Sequence, residues 1–238
     1  MNPKGEVVER AKRNAAQEAV KHVKDGFVVG LGSGSTAAYA IEEIGKRVKR
    51  EGLKILGVPT SYQALMLAVQ NGIQMTTLEE HQSIDVAIDG ADQVDEHLNL
   101  IKGMGGALAR EKIVAAASKK FIVIAHENKK VKVLGENGHP VPLEVLPMAT
   151  AFVMQKMKQY SGRPSLRVSS GKVGPVITDN GNVIIDAVFG PINNPAELEG
   201  RLRCIPGVVE TGLFVDMADI VYLGRRSGVE ELKSRGSR

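Results

Sequence analysis

Short, nearly continuous apolar runs alternate along this chain with stretches of helical spacing. "FVVGLG" (Phe27 to Gly32) precedes "STAAYAIEEIGKRVKR", and "KILGVP" (Lys54 to Pro59) precedes "SYQALMLAVQNG". "IDVAI" (Ile84 to Ile88) and "FIVIA" (Phe121 to Ala125) flank a glycine-rich, charged stretch. Apolar strands without polar alternation are buried on both faces, and strands separated by helices pair in parallel. The pattern therefore predicts an α/β fold with a doubly wound, mostly parallel sheet. In such sheets ligands bind beyond the carboxyl ends of the strands, where the glycine-rich turns fall here.

The rhythm changes after "NGHPVP". "LEVLP" (Leu143 to Pro147) reads as a strand and "MATAFVMQKMKQY" as a helix. "PSLRVS" and "NVIIDAVF" read as a hairpin with "TDNG" as its turn, "PAELEGRLRCI" as a helix and "GVVETGLF" as one last strand. The order β-α-β-β-α-β is that of a ferredoxin-like unit. "ADIVYLG" (Ala218 to Gly224) returns to the buried-strand style, and a short helix and a frayed basic tail, "KSRGSR", are expected after it. This divides the chain into a doubly wound domain, 1–135 and 215–238, interrupted by a ferredoxin-like α+β insert, 136–214.

Composition narrows the function classes. Of 238 residues 43% are apolar, enough for a sizeable core, and the formal charge of +4 is a mild excess that suits small anionic ligands. Aromatics make up 4% and tryptophan is absent, which argues against base-stacking platforms and a nucleic-acid partner. Cys204 is the only cysteine, so no disulfide framework is built within one chain and a cytoplasmic location is expected. The first residues lack the apolar core of a signal peptide, and no run of about 18 apolar residues suggests a membrane span.

Two turns carry the chemistry. "GLGSGSTAA" (Gly30 to Ala38) joins the first strand to its helix. It is not a Walker loop, and as a dinucleotide fingerprint its third glycine is misplaced. Its glycines and hydroxyls suit either an anion held by backbone N–H groups at a helix N-terminus or a plain Ser/Thr helix cap. The second stretch sets Asp89 and Asp92 after the strand "IDVAI", then Lys102 in "KGMGGALAREKIVAA", with a helix starting near Ala107 and Glu111 about one turn into it. Asp95 and Glu96 read as solvated turn residues, and Arg110 and Lys112 as a charged outer face around Glu111.

The five histidines are scattered without metal-ligand spacing, no G-x-S-x-G elbow occurs, and the lone cysteine lies in the insert. No metal and no cofactor is expected. Carboxylates with a lysine suit proton abstraction beside a carbonyl: one carboxylate takes the carbon-bound proton, another relays protons between oxygens, and the ammonium offsets enediolate charge.

"GLGSGSTAA", "GVPTSYQA", "DGADQVD", "NLIKGMGGALAREKI" and "IPGVVETGLF" resemble, in order and over nearly the whole chain, the type A ribose-5-phosphate isomerases. The resemblance implies a Rossmann-like domain with a ferredoxin-like one. It implies metal-free interconversion of D-ribose 5-phosphate and D-ribulose 5-phosphate through an enediol, in the non-oxidative pentose phosphate pathway. By the same resemblance Glu111 is the base, and Asp89 and Asp92 hold sugar hydroxyls and move oxygen-bound protons. Lys102 stabilises the enediolate. Ser33, Gly34, Ser35 and Thr36 form a substrate-binding turn, joined by Asp89, Gly90, Ala91, Asp92, Lys102, Gly103, Met104, Gly105, Lys129 and, toward phosphate, Lys12. A homodimer or homotetramer is implied as well. Three positions depart from the family pattern: Ser33 stands for a threonine, Met104 for a glycine, and "AHENKK" for an acidic "ADESK"-like segment. Two other readings remain at this level: a sugar-phosphate sensor, which needs the phosphate turn without Glu111 and Lys102, and a dinucleotide oxidoreductase, which rests on the imperfect glycine pattern.

Overall fold

The computed structural model describes residues 3–171 and 173–234; the last four residues of the basic tail lie outside them. The chain divides into two compact units. The first holds the described residues up to Ala91, Arg110–Lys130 and those from Met217 on; the second holds Asp92–Ala109 and Val131–Asp216.

In chain order, α1 (Pro3–Val20) precedes β1 (Val28–Leu31), α2 (Ser35–Glu51), β2 (Leu56–Pro59), α3 (Tyr62–Gln70), β3 (Gln74–Met75) and β4 (Val86–Gly90). The short strands β5 (Gln93–Val94) and β6 (Leu100–Ile101) follow, then α4 (Leu108–Ala116) and β7 (Phe121–His126). The second unit continues with β8 (Val141–Val145), α5 (Thr150–Gln159), β9 (Arg163–Leu166), β10 (Val183–Val188), α6 (Pro195–Arg203), β11 (Val208–Thr211) and β12 (Leu213–Phe214). The strands β13 (Ile220–Gly224) and β14 (Val229–Lys233) belong to the first.

The first unit is built on a seven-stranded sheet in the order β14-β13-β7-β4-β1-β2-β3. Every pairing is parallel except β13 with β14. Period-two alternation sends Val29 and Leu31 of β1, Val86 and Ile88 of β4, and Ile122 and Ile124 of β7 into one core, with Ala15, Ala16 and Ala19 of α1, Ile41 and Ile44 of α2, and Ala64 and Ala68 of α3. Gly30 and Ala87 face the other side, which α4 covers: a Cβ on Gly30 would sit 2.5 Å from Val114 Cγ1. The sheet is thus doubly wound. The chain leaves β1 for β2 on one side and returns to β4 on the other, so the topological switch point lies between β1 and β4.

The segment after β13 is not the helix that its position suggested. Val229–Lys233 forms an antiparallel edge strand. Val229 packs on the core while Glu230 pairs with Lys130 and Arg225, a charged edge of the kind that blocks further strand pairing.

The second unit carries a four-stranded antiparallel sheet in the order β11-β8-β10-β9, the arrangement of a ferredoxin-like unit. Val141, Leu143 and Val145 of β8 pack with Val153 and Met157 of α5 and Leu202 of α6. Glu144 alternates away from that core yet is fully buried. Its Oε1 accepts from Thr178 Oγ1 at 2.9 Å, Asn180 Nδ2 at 2.9 Å and Asn182 Nδ2 at 2.8 Å. This carboxylate pins the "TDNGN" loop, which turns between Ile177 and Val183 rather than directly joining β9 to β10. "GVVETGLF" also differs from a single strand. It breaks at Gly212, so that β11 pairs with β8 while β12 joins β6 and β5 in a separate three-stranded sheet.

Candidate active site

In the first unit the sequence-derived residues gather at the carboxyl ends of β1, β4 and β7. β1 ends at Leu31, paired with Ile88, and the chain turns at once. Gly32 N–H donates to Ile88 O at 2.9 Å and Ser33 N–H to Asp89 Oδ1 at 3.0 Å. The Asp89 carboxylate, 3% exposed, also accepts from Gly90 N–H at 2.7 Å. Gly32 makes this possible, since a Cβ there would lie 2.2 Å from Asp89 Oδ1 and 2.6 Å from Asp89 Cα. Ser33 Oγ bonds Thr60 Oγ1 at 2.7 Å and Ser61 Oγ at 2.6 Å, and Gly34 N–H donates to Gln63 Oε1 at 2.8 Å.

The plain-cap reading of this turn does not hold. The N-cap of α2 is Gly34, at φ 92°, and no side chain caps the helix there. Ser35 and Thr36 are already helical, so they leave first-turn N–H groups and hydroxyls at a positive helix end. Lys12 of α1 donates to Ser35 Oγ at 3.1 Å and to Glu9 Oε1 at 2.8 Å, which adds a cation to the same place. Lys129 stands in the turn after β7, next to His126. Burial lowers the His126 pKa below the ordinary histidine value, and the positive charges of Lys129 and Lys12 lower it further against Glu127 and Glu9. His126 therefore stands neutral beside two cations at neutral pH.

Glu111 lies in the first turn of α4 and is 5% exposed, although its flanking Arg110 and Lys112 suggested an outer face. Lys112 is buried too, and Arg110 stacks over the Tyr62 ring, 5.6 Å from its centroid. α4 packs closely on the sheet, where a Cβ on Gly30 would lie 2.5 Å from Val114 Cγ1.

In the second unit, Asp92 and the Lys102–Gly106 turn come together. Asp92 N–H donates to Ile101 O at 2.8 Å, and Asp92 Oδ2 accepts from Met104 N–H at 3.0 Å. Lys102 is 3% exposed; its backbone N–H donates to Gly212 O at 2.8 Å, and its ammonium lies 5.4 Å from the centroid of the Phe214 ring. Gly103, at φ 104°, and Gly106, at φ 78°, form a turn that Gly106 N–H closes onto Gly103 O at 3.0 Å. Met104 and Gly105 are exposed at its tip, and Ala91 is half-buried where the chain passes from the first unit to the second. Asp95, expected to be solvated, is instead buried: it accepts from His97 N–H, Asn99 N–H and Asn99 Nδ2, which folds the β5–β6 connection around it. Glu96 is exposed as expected.

Residues 56–228 match the family model described as ribose 5-phosphate isomerase A (phosphoriboisomerase A). Ribose-5-phosphate isomerase A of Methanothermobacter thermautotrophicus is 50% identical over 96% of this chain and 100% of its own length. The chain belongs to the ribose 5-phosphate isomerase A family. The ribose-5-phosphate isomerase of Homo sapiens is 46% identical over 95% of this chain and 75% of its own. The solved structure of ribose 5-phosphate isomerase A from Methanocaldococcus jannaschii superposes with a TM-score of 0.91 at 48% identity, covering 94% of this chain and 99% of that one. A D-ribose-5-phosphate isomerase solved in complex with phospho-erythronic acid gives 0.93 at 48% identity, covering 95% and 99%.

Within this isomerase family fold, the sequence reading overlooked the groups that hold the turns. Thr60, Ser61 and Gln63 follow β2 at a strand's carboxyl end, a position that marks them as candidates. Arg167, which donates to both Gly103 O at 2.9 Å and Met104 O at 3.0 Å, has no local signal in the sequence.

Proposed function

We propose that this chain interconverts D-ribose 5-phosphate and D-ribulose 5-phosphate through an enediolate, without metal or cofactor, with Glu111 as base. The observation that carries the reading is Glu111 itself, a buried carboxylate in the first turn of α4 in a chain of this family. Glu111 takes the proton from C2 of the open-chain aldose. The C–H electron pair forms the C1–C2 double bond, and the carbonyl electrons pass to O1, whose charge the Lys102 ammonium offsets. Asp89 and Asp92 hold the sugar hydroxyls and carry the proton between O2 and O1. Glu111 then returns its proton to C1, which gives the ketose. The uncapped N-terminus of α2, with Ser33, Gly34, Ser35 and Thr36 and with Lys12, takes the phosphate. Lys129, Gly90, Ala91, Gly103, Met104 and Gly105 complete the contacts. A relative's complex with phospho-erythronic acid, a phosphorylated sugar acid, supports a phosphosugar ligand.

This reading places the chain in the cytoplasm, in the non-oxidative pentose phosphate pathway, as a homodimer or homotetramer. Leu146, Met148 and Phe152 are exposed apolar residues that suit subunit contact, while Val141, Leu143, Val145 and Val153 from the same stretch are core. Light scattering of the purified protein measures the assembly.

The deciding assay follows ketose formation from ribose 5-phosphate in the presence of a chelator. A positioned base contributes roughly 10²–10⁴-fold in rate, so Glu111→Gln is expected to lower kcat by at least about 10²-fold with little change in phosphate affinity. Near-normal turnover in that variant rules Glu111 out as the base. Binding of ribose 5-phosphate with no turnover by the wild type would instead identify a sensor.

A further inference from the structure

The geometry assigns Arg167 as a positioning residue that, anchored by Asp186, sets the peptide planes of the Lys102–Gly106 turn and through them the Asp92 carboxylate. The assignment rests on the isomerase reading for its catalytic consequence and on the structure for its physical content.

Arg167 follows directly on β9, and Asp186 stands on β10. The guanidinium and the carboxylate meet as a fork on a fork: Nε donates to Asp186 Oδ2 at 2.7 Å, and Nη2 pairs with Asp186 Oδ1. Both side chains are mostly buried, at 13% and 16% exposure. The opposite edge of the guanidinium meets the turn. Nη1 donates to Gly103 O at 2.9 Å and to Met104 O at 3.0 Å, and Nη2 approaches Met104 Sδ at 3.9 Å. A guanidinium has five N–H donors, and these five contacts account for all of them. Four of its N–H groups are thus committed to protein oxygens, and the fifth faces the weak sulfur acceptor of Met104. Arg167 acts on the turn.

What it does there follows from peptide geometry. The bonds are trans, so in each planar peptide the N–H points opposite to the C=O. Arg167 holds the carbonyl edge of the Gly103–Met104 peptide, and Asp92 Oδ2 holds the N–H edge of that same peptide at 3.0 Å. One peptide unit is thus gripped from both sides, and the Asp92 carboxylate is fixed by a plane that Arg167 sets. The next peptide, Met104–Gly105, also has its carbonyl turned to Arg167, so its N–H faces away. Gly103, at φ 104°, has little conformational preference of its own to hold this arrangement. Lysine, whose three donors radiate from one nitrogen, lacks the planar fork that spans a bidentate carboxylate and two carbonyls at once.

The experiment compares Arg167→Met, Arg167→Lys and Asp186→Asn with the wild type in kcat, KM and thermal midpoint. It adds the double variant Asp92→Asn/Arg167→Met and amide hydrogen exchange at Met104 without substrate. Arg167→Met is expected to lower kcat/KM at least about tenfold, with Arg167→Lys restoring little of it. The double variant should be no slower than Asp92→Asn alone, because Arg167 acts through the Asp92 carboxylate, which that change has already removed. Met104 exchange should quicken in Arg167→Met and Asp186→Asn. A folded Arg167→Met within about twofold of wild-type kcat/KM overturns the assignment, and so do effects of Asp92→Asn and Arg167→Met that multiply. If Arg167→Met does not fold, Asp186→Asn decides: unchanged kcat/KM and unchanged Met104 exchange refute the role. An inactive wild type refutes the isomerase reading alone, and Met104 exchange then still confirms or refutes the grip on the turn.

Discussion

The two glycine turns reach their shapes by opposite routes. The turn after β1 is fixed from within its own sheet: Gly32 lets Asp89, from the adjacent strand β4, lie directly against the backbone, and Asp89 then accepts from Ser33 and Gly90. At Gly32 there is no spare volume, and the conformation there is set by exclusion. The turn after Lys102 has an open, exposed tip and is held by charge from a distance in sequence, through Arg167 and Asp186. A turn set by packing tolerates no added atom. A turn set by a remote ion pair tolerates added atoms at its tip but not the loss of its anchor.

The largest effect is expected where the packing is tightest. Gly32→Ala brings a methyl group within 2.6 Å of a backbone atom that cannot move without shifting β4. We expect a loss of at least about 3 kcal/mol, which for a chain of this size lowers the melting temperature by roughly 6 °C or more. Calorimetry on the purified variant measures it. A variant as stable as the wild type would show that Asp89 has room to move and that the turn is not set by exclusion.

Gly103→Ala should cost less, about 2 kcal/mol. Its φ of 104° disfavours a side chain, but a Cβ there meets side-chain atoms only, Leu108 Cδ2 at 2.8 Å and Leu108 Cβ at 2.9 Å, whereas at Gly32 it meets a backbone atom at 2.6 Å. Gly105→Ala in the same turn is the control. Nothing lies within 4 Å of a Cβ there, and its φ is not in the left-handed region, so the change should stay within about 0.5 kcal/mol. A cost at Gly105 as large as that at Gly32 would mean that the second turn is as tightly packed as the first.

The same contrast explains what could be read from the sequence. The strand pattern and the switch point follow from residues close in the chain or on adjacent parallel strands. The doubly wound sheet and the ferredoxin-like order were therefore legible, as was the placing of both glycine turns at the carboxyl ends of strands; that Gly32 packs against Asp89 was not. Arg167 was not, because a guanidinium 63 residues beyond Met104 leaves no local trace. Asp95 was misread for a related reason: as a turn residue it looks solvated, and only the fold shows that it caps its own loop with three accepted bonds. The last strand was missed because "VEELK" carries helix-forming glutamates and lysine, and its pairing with β13 overrides that preference.

The smallest expected effect separates the two turns by pH. Near the first turn, His126 has a pKa lowered by burial and then by Lys129 and Lys12, relative to an ordinary value of 6.5. Above that ordinary value His126 is neutral in both folded and unfolded chains, and stability is at its full level. As pH falls below it, the unfolded chain takes up the proton first, so stability declines until the pH passes below the folded-state pKa. His22, lowered chiefly by burial and bonded to Tyr222 at 2.8 Å, contributes in the same direction. The melting temperature should therefore fall between neutral and mildly acidic pH, and His126→Asn should flatten part of that slope. Arg167 stays charged throughout this range, so the second turn's grip on Met104 should persist. Amide exchange at Met104, corrected for its intrinsic pH dependence, measures that. If protection at Met104 were lost in step with the titration of His126, the two turns would not be held independently, and the contrast between packing and remote charge would fail.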